Sequence, residues 1–282
     1  MATQPTRLAG RHRANAPASL GGWSQITHIA LFVLFLMCAT SWLLRLLAMP
    51  VVERWRWAEA LLPVAAVATT LAALARRLPA QNILLAASLI ALIGGAVQTL
   101  GATTGIPFGA YTYTDKIGQQ IFDLLPWPMP CLWVVVILNA RGIARLVLRP
   151  WRKTRNYGFQ VIGLTCILAV VFDLALEPFA SKVSRYWIWQ TPENVLAWHT
   201  APWANFLGWL MTTLLILVVV TPWLINKKPT RRPPDLYPLI VWWGLNLIPA
   251  IGAAMHGLWS AAVFAVLANL LVTVFAVRGA RW

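Results

Sequence analysis

The chain predicts an all-α bundle of about eight transmembrane helices (seven to nine), with both termini on the cytoplasmic side. Three observations predict it. Of 282 residues, 59% are hydrophobic and only 8 are acidic, a composition outside the range of a soluble domain. Several apolar runs, among them Ile26–Leu44, Ile83–Leu100 and Phe206–Leu224, match the roughly 20 helical residues that a hydrocarbon core demands. Basic residues collect in alternate loops between those runs, as the positive-inside rule requires.

In chain order, residues 1–24 form a basic tail and residues 25–282 a single transmembrane domain. Arg7, Arg11 and Arg13 precede a first apolar run that has full bilayer width and no small-residue cleavage site, which marks a retained span. Spans follow near 26–47, 58–75, 82–101, 130–149, 158–178, 203–225, 236–254 and 257–277. Pro-Trp pairs at Pro126-Trp127, Pro150-Trp151, Pro202-Trp203 and Pro222-Trp223 mark edges, where a helix-starting proline and an interfacial indole both fit. Most of the 17 tryptophans accordingly read as membrane belts. With the N-terminus inside, the cytoplasmic loops collect 17 of the 23 Lys and Arg, and only Arg45, Arg54, Arg56, Lys116, Lys182 and Arg185 face the other way. Arg141, Arg145 and Arg149 line one helix face and read as snorkelling to lipid phosphate. Gly101 and Gly105 form a GxxxG step, whose ordinary meaning is close helix packing. No internal repeat is visible, which counts against a duplicated transporter.

The composition also excludes chemistries. The formal charge of +15 is distributed between apolar spans rather than along one surface, so nucleic acid is not an expected partner. Cys38, Cys131 and Cys166 lack CxxC spacing, and His12, His28, His199 and His256 lack the HxxxH spacing of di-iron sites, so no metal is expected. No glycine-rich nucleotide loop and no nucleophile elbow occur, which points to a reaction without cofactor.

Charge inside a span costs about 2.5–3.5 kcal/mol per residue, so it needs a reason. Asp173 and Glu177 lie four residues apart in Val170-Val-Phe-Asp-Leu-Ala-Leu-Glu-Pro178 and therefore share a helix face, which Cys166 and Ala169 continue. Pro178 predicts a break or bend just after them. Two buried carboxyls side by side resist double ionisation and hold one proton between them, so one can act as acid and the other as base. The alternative is an ion pair with an arginine such as Arg45 or Arg185. On the same side of the membrane emerge the loop Gly105–Asp115, rich in Gly, Pro and hydroxyls, and the cluster Trp187, Trp189, Trp198, His199 and Asn205. Tyr111 and Tyr113 alternate as in an extended segment and can present hydroxyls or aromatic faces to a site. A lone histidine such as His199 more often makes a hydrogen bond than catalyses, and a polar amide such as Asn205 usually serves helix packing.

The stretches Pro107–Tyr113, Asp173–Pro178, Tyr186–Trp189 and Asn205–Trp209, in this order and spacing, resemble the membrane-bound carotenoid biosynthesis family, with the likeness covering roughly residues 83–225. The resemblance implies addition of water to the terminal C1'=C2' double bond of an acyclic carotenoid end in a bacterial inner membrane. It implies Asp173 and Glu177 as the catalytic pair, and Phe108, Tyr111, Tyr113, Asp115, Trp187, Trp189, Asn205 and Trp209 as substrate-binding residues. Carotenoid, membrane lipid and neighbouring enzymes of the pathway are the implied partners. A cyclase or isomerase using the same acid pair, and a transporter that binds an ion there, stay open as alternatives.

Overall fold

A computed structural model describes residues 19–48, 56–225 and 233–282. The basic tail with Arg7, Arg11 and Arg13, and the basic residues Arg54, Lys227, Lys228, Arg231 and Arg232, lie outside the described residues. Eight α-helices occur among the described residues, in the order expected: α1 (Ser19–Leu46), α2 (Arg56–Ala75), α3 (Ala80–Thr104), α4 (Pro128–Val147), α5 (Tyr157–Pro178), α6 (Trp203–Val220), α7 (Tyr237–Met255) and α8 (Trp259–Ala280). Seven are long and apolar enough to cross a membrane, and the apolar stretch Glu59–Ala75 of α2 is shorter. Bilayer thickness sets their lengths, which is why apolar run length alone located them to within a few residues.

The ends obey local chemistry. Pro128 opens α4, where its missing N–H costs nothing. Gly105 closes α3 in the left-handed conformation (φ 76°), its N–H bonded to Gly101 O, a geometry that a side chain disfavours. α4 is the central helix, with 67% of its spanning stretch buried, and it packs against α2, α3, α5, α7 and α8. Polar pairs bridge helices in the interior. Asn139 Nδ2 of α4 donates to Thr70 Oγ1 of α2 at 2.9 Å, and Trp243 Nε1 of α7 donates to Thr273 Oγ1 of α8 at 2.7 Å.

The loops on one side add short antiparallel ladders that helical periodicity did not announce. β1 (Tyr111–Tyr113) pairs with β4 (Trp187–Trp189), β2 (Gln120–Ile121) with β3 (Leu125–Pro126), and β5 (Ala197–Trp198) with β6 (Ala201–Pro202). In the first ladder Tyr111 faces Trp189 and Tyr113 faces Trp187. Because side chains alternate along a strand, these four rings share one face and point inward, while Thr112 and Ile188 point out. Tyr186 OH donates to Glu59 Oε1 at 3.2 Å and Glu59 pairs with Arg45 at 2.8 Å, tying the ladder to α1 and α2.

Three expectations change. Trp133 and Trp242 are buried core rings rather than belt residues, whereas Trp151, Trp203, Trp259 and Trp282 do lie at the surface. The GxxxG step packs no helix: a Cβ on Gly101 would stand 2.6 Å from Phe108 Cδ2 of the following loop. Arg141 does not snorkel to the surface but is buried, donating from Nη2 to Leu224 O at 3.0 Å, and Arg149 donates to Ala280 O at 3.3 Å. Both find carbonyls at helix ends, where backbone acceptors lack partners. At Pro178 the α-helix ends, as expected, without a break in the chain. Its helical path continues through a π-helical turn, Phe179–Val183. Pro178 has no N–H to offer Leu174 O, and Trp198 Nε1 takes that place at 3.1 Å.

Candidate functional site

Asp173 and Glu177 sit on the inward face of α5 as their spacing requires, each with 1% of its surface exposed. Neither makes an ion pair among the described residues. Arg45 is taken by Glu59, and Arg185 is exposed. The ion-pair alternative therefore finds no partner among the described residues. The carboxyls are satisfied by neutral donors instead. Glu177 Oε1 accepts from Trp187 Nε1 at 2.9 Å and from Trp189 Nε1 at 2.5 Å. Asp173 Oδ2 accepts from Asn205 Nδ2 of α6 at 2.6 Å. Asn205 is thus a partner of the acid pair, beyond the packing amide that its position suggested.

The ladder places its aromatic face over these carboxyls. Both tyrosine hydroxyls donate to one acceptor, Gln98 Oε1 of α3, at 2.7 Å from Tyr111 and 2.9 Å from Tyr113. Burial pushes the Tyr111 phenol up to about 12 and the Tyr113 phenol well above its ordinary value, so both remain neutral donors. Their rings meet edge to face at 5.2 Å, and Tyr111 lies 5.1 Å from Trp189. Opposite, Trp209 stacks on Trp133 with centroids 4.2 Å apart. Phe108 fills the gap between α3 and α6, where glycines make room on both sides: a Cβ would stand 2.6 Å from its ring at Gly101 and 2.5 Å at Gly208.

These groups enclose a cavity of about 20 Å³, enough for one water, which needs roughly 10–15 Å³. Asp173, Glu177, Asn205, Phe108, Tyr111, Tyr113, Trp187, Trp189 and Trp209 all line it. Asp115 does not. It begins a short 3₁₀ turn past β1, exposed to solvent, because the strand's alternation ends before it. Two lining residues escaped the sequence reading, Gln98 and Met129. Gln98 carried a signal, as a lone amide within an apolar span. Met129 carried none. Among the described residues no three His, Cys, Asp or Glu side chains cluster as metal ligands.

The model of the family described as "Carotenoid biosynthesis protein" matches residues 56–272. The chain belongs to that family. It is an integral membrane protein of carotenoid biosynthesis, and the two helices that carry the acid pair and its amide partner both lie within the matched region. The bisanhydrobacterioruberin hydratase of Haloarcula japonica is 26% identical over 190 residues, a match that covers 61% of this chain and 61% of that protein. The chain thus matches about three fifths of the length of this relative. No solved structure matches it.

Proposed function

We propose that this carotenoid biosynthesis protein is a hydratase that adds water to the terminal C1'=C2' double bond of an acyclic carotenoid end, with Asp173 as acid and Glu177 as base. One observation carries the assignment of roles. Two N–H donors converge on one oxygen of Glu177, the arrangement that a carboxylate satisfies best, whereas Asp173 accepts a single amide donor; among the described residues each carboxyl keeps one oxygen without a hydrogen bond for the shared proton. The hydratase name of the relative supports hydration as the reaction.

In the proposed cycle the Asp173 carboxyl transfers its proton to the less substituted alkene carbon, leaving a tertiary cation. The aromatic faces of Tyr111, Tyr113 and Trp187 and the negative charge on Glu177 stabilise it. A water from the cavity forms the new C–O bond and gives its proton to Glu177. The pair then again holds one proton, which passes back to Asp173, so each turnover consumes one water and nothing else. An apolar end group reaches the cavity from lipid between α3 and α6 by displacing Phe108, whose flanking Ile106 and Leu207 are exposed. With the basic loops inside, the cavity lies toward the opposite face of the membrane, where water is at hand while the polyene stays in hydrocarbon.

Expression in a lycopene-accumulating bacterium tests the proposal. The expected product is more polar and heavier by one or two waters. Asp173→Asn and Glu177→Gln are expected to insert normally and lose it. A product of unchanged mass would replace hydration by cyclisation or isomerisation. Product formation by both variants at the wild-type rate would remove the acid pair from the mechanism.

A further inference from the structure

A second cavity, of about 40 Å³, lies between α2, α4 and α7 at the far end of the bundle. Met129 of α4 lines the first cavity and Arg141 the second, roughly 18 Å apart along the helix at about 1.5 Å per residue. The two are separate sites.

Its walls contain more positive charge than they neutralise. Arg141 is buried, with 8% of its surface exposed, and among the described residues makes one hydrogen bond, to Leu224 O. A guanidinium has five N–H donors, so most of this one's capacity is unspent. Arg145, one turn further along α4, is exposed and lines the same cavity on the same helix face. Neither pairs with a carboxylate among the described residues. The one acidic side chain in the wall, Asp235, is held at 3.2 Å by both Arg76 and Arg77. Thr69 Oγ1, also in the wall, is buried without a hydrogen-bond partner among the described residues. Two neighbouring guanidinium groups that line one cavity, Arg141 buried and Arg145 exposed, repel each other unless an anion lies between them.

We propose that this cavity binds a phosphate group, with Arg141 and Arg145 clamping its oxygens and Thr69 donating a hydroxyl. A planar fork that matches phosphate oxygens bidentately is what Arg supplies and Lys does not. The phosphate is that of an anionic phospholipid or a free ion. The exposed Arg152, Lys153 and Arg155 just beyond α4 raise the local concentration of either.

The test uses the full chain, delipidated in a neutral detergent, with phosphatidylglycerol, diacylglycerol lacking phosphate, or inorganic phosphate added. The readouts are thermal unfolding and native mass spectrometry. A saturable rise in Tm and one retained molecule are expected with phosphatidylglycerol and not with diacylglycerol. Inorganic phosphate producing the same saturable rise assigns the free ion as a sufficient ligand, and no effect of it assigns the lipid. Arg141→Gln and Arg145→Gln are each expected to weaken binding by at least about tenfold, while Arg155→Gln changes it by less than about twofold. If Arg141→Gln fails to insert, Arg145→Gln and Thr69→Val decide, with unchanged binding in both overturning the site. Absence of a saturable effect from either phosphate source, or an equal loss in Arg155→Gln, would reduce the effect to general surface charge and overturn it as well.

Discussion

Replacing Trp187 and Trp189 by Phe isolates the interaction on which the proposed base depends. Each substitution keeps an aromatic face over the cavity and removes one N–H donor from Glu177 Oε1, at 2.9 Å for Trp187 and 2.5 Å for Trp189. A hydrogen bond to a charged group contributes about 1.5–3 kcal/mol. If Glu177 must be negative to stabilise the cation and take the water's proton, losing one donor lowers turnover by roughly 10- to 150-fold, and losing both by roughly 150- to 25,000-fold. The assay is conversion of an acyclic carotenoid by membranes with known amounts of folded variant, followed chromatographically under substrate saturation. The decrease is expected in kcat, with KM little changed, because the ring surfaces remain. A doubly substituted protein that folds and turns over within about threefold of wild type would refute the assignment of Glu177 as base, since the loss worked from its two donors starts near 150-fold.

Gln98→Leu leaves the Tyr113 hydroxyl only the Tyr111 hydroxyl, at 3.5 Å, while Tyr111 keeps Gln98 O at 3.0 Å. A buried hydroxyl left with so long a bond costs up to about 1–3 kcal/mol, and adding Tyr113→Phe is expected to recover most of it, measured by thermal unfolding in detergent. An additive double variant would mean that the two groups do not share a bond. Phe108→Ala removes a ring with 1% exposure, and is expected to cost about 3–5 kcal/mol of stability while letting bulkier carotenoid ends compete with the acyclic one. Unchanged selectivity in a mixed-substrate assay would place the route elsewhere. Burial raises the phenols of Tyr111, to about 12, and of Tyr113. Their contribution to stability is therefore complete below the unfolded value near pH 10 and is lost as pH rises through the folded values. The decline in unfolding free energy above about pH 10 is expected to flatten when both are replaced by Phe.

How much of this was legible beforehand follows from the range of each interaction. Helix positions were, because the bilayer imposes one length on every span and the chain answers with apolar runs. The acid pair was, because a four-residue spacing is enough to put two side chains on one helical face. Tyr111 and Tyr113 were half legible. Their alternation put them on one side of a strand, but Trp187 and Trp189 come opposite only through pairing across more than seventy residues. Asp115 was assigned to the site through the family resemblance, and the end of strand alternation turned it outward.

The chain's own residue order therefore determined a membrane bundle with two carboxyls on one face of its fifth helix, since both facts rest on local geometry and on the cost of charge in hydrocarbon. Only the tertiary structure decided what those carboxyls meet. Asn205 and the two indoles arrive from two other segments, and Gln98 joins the cavity from a third through the tyrosine hydroxyls. Tertiary packing also decided that Trp133, Trp242 and Arg141 turn inward rather than toward lipid. Interfacial indoles and buried ones look alike in sequence, as do snorkelling arginines and enclosed ones, because each side chain's direction depends on which neighbouring helix stands beside it.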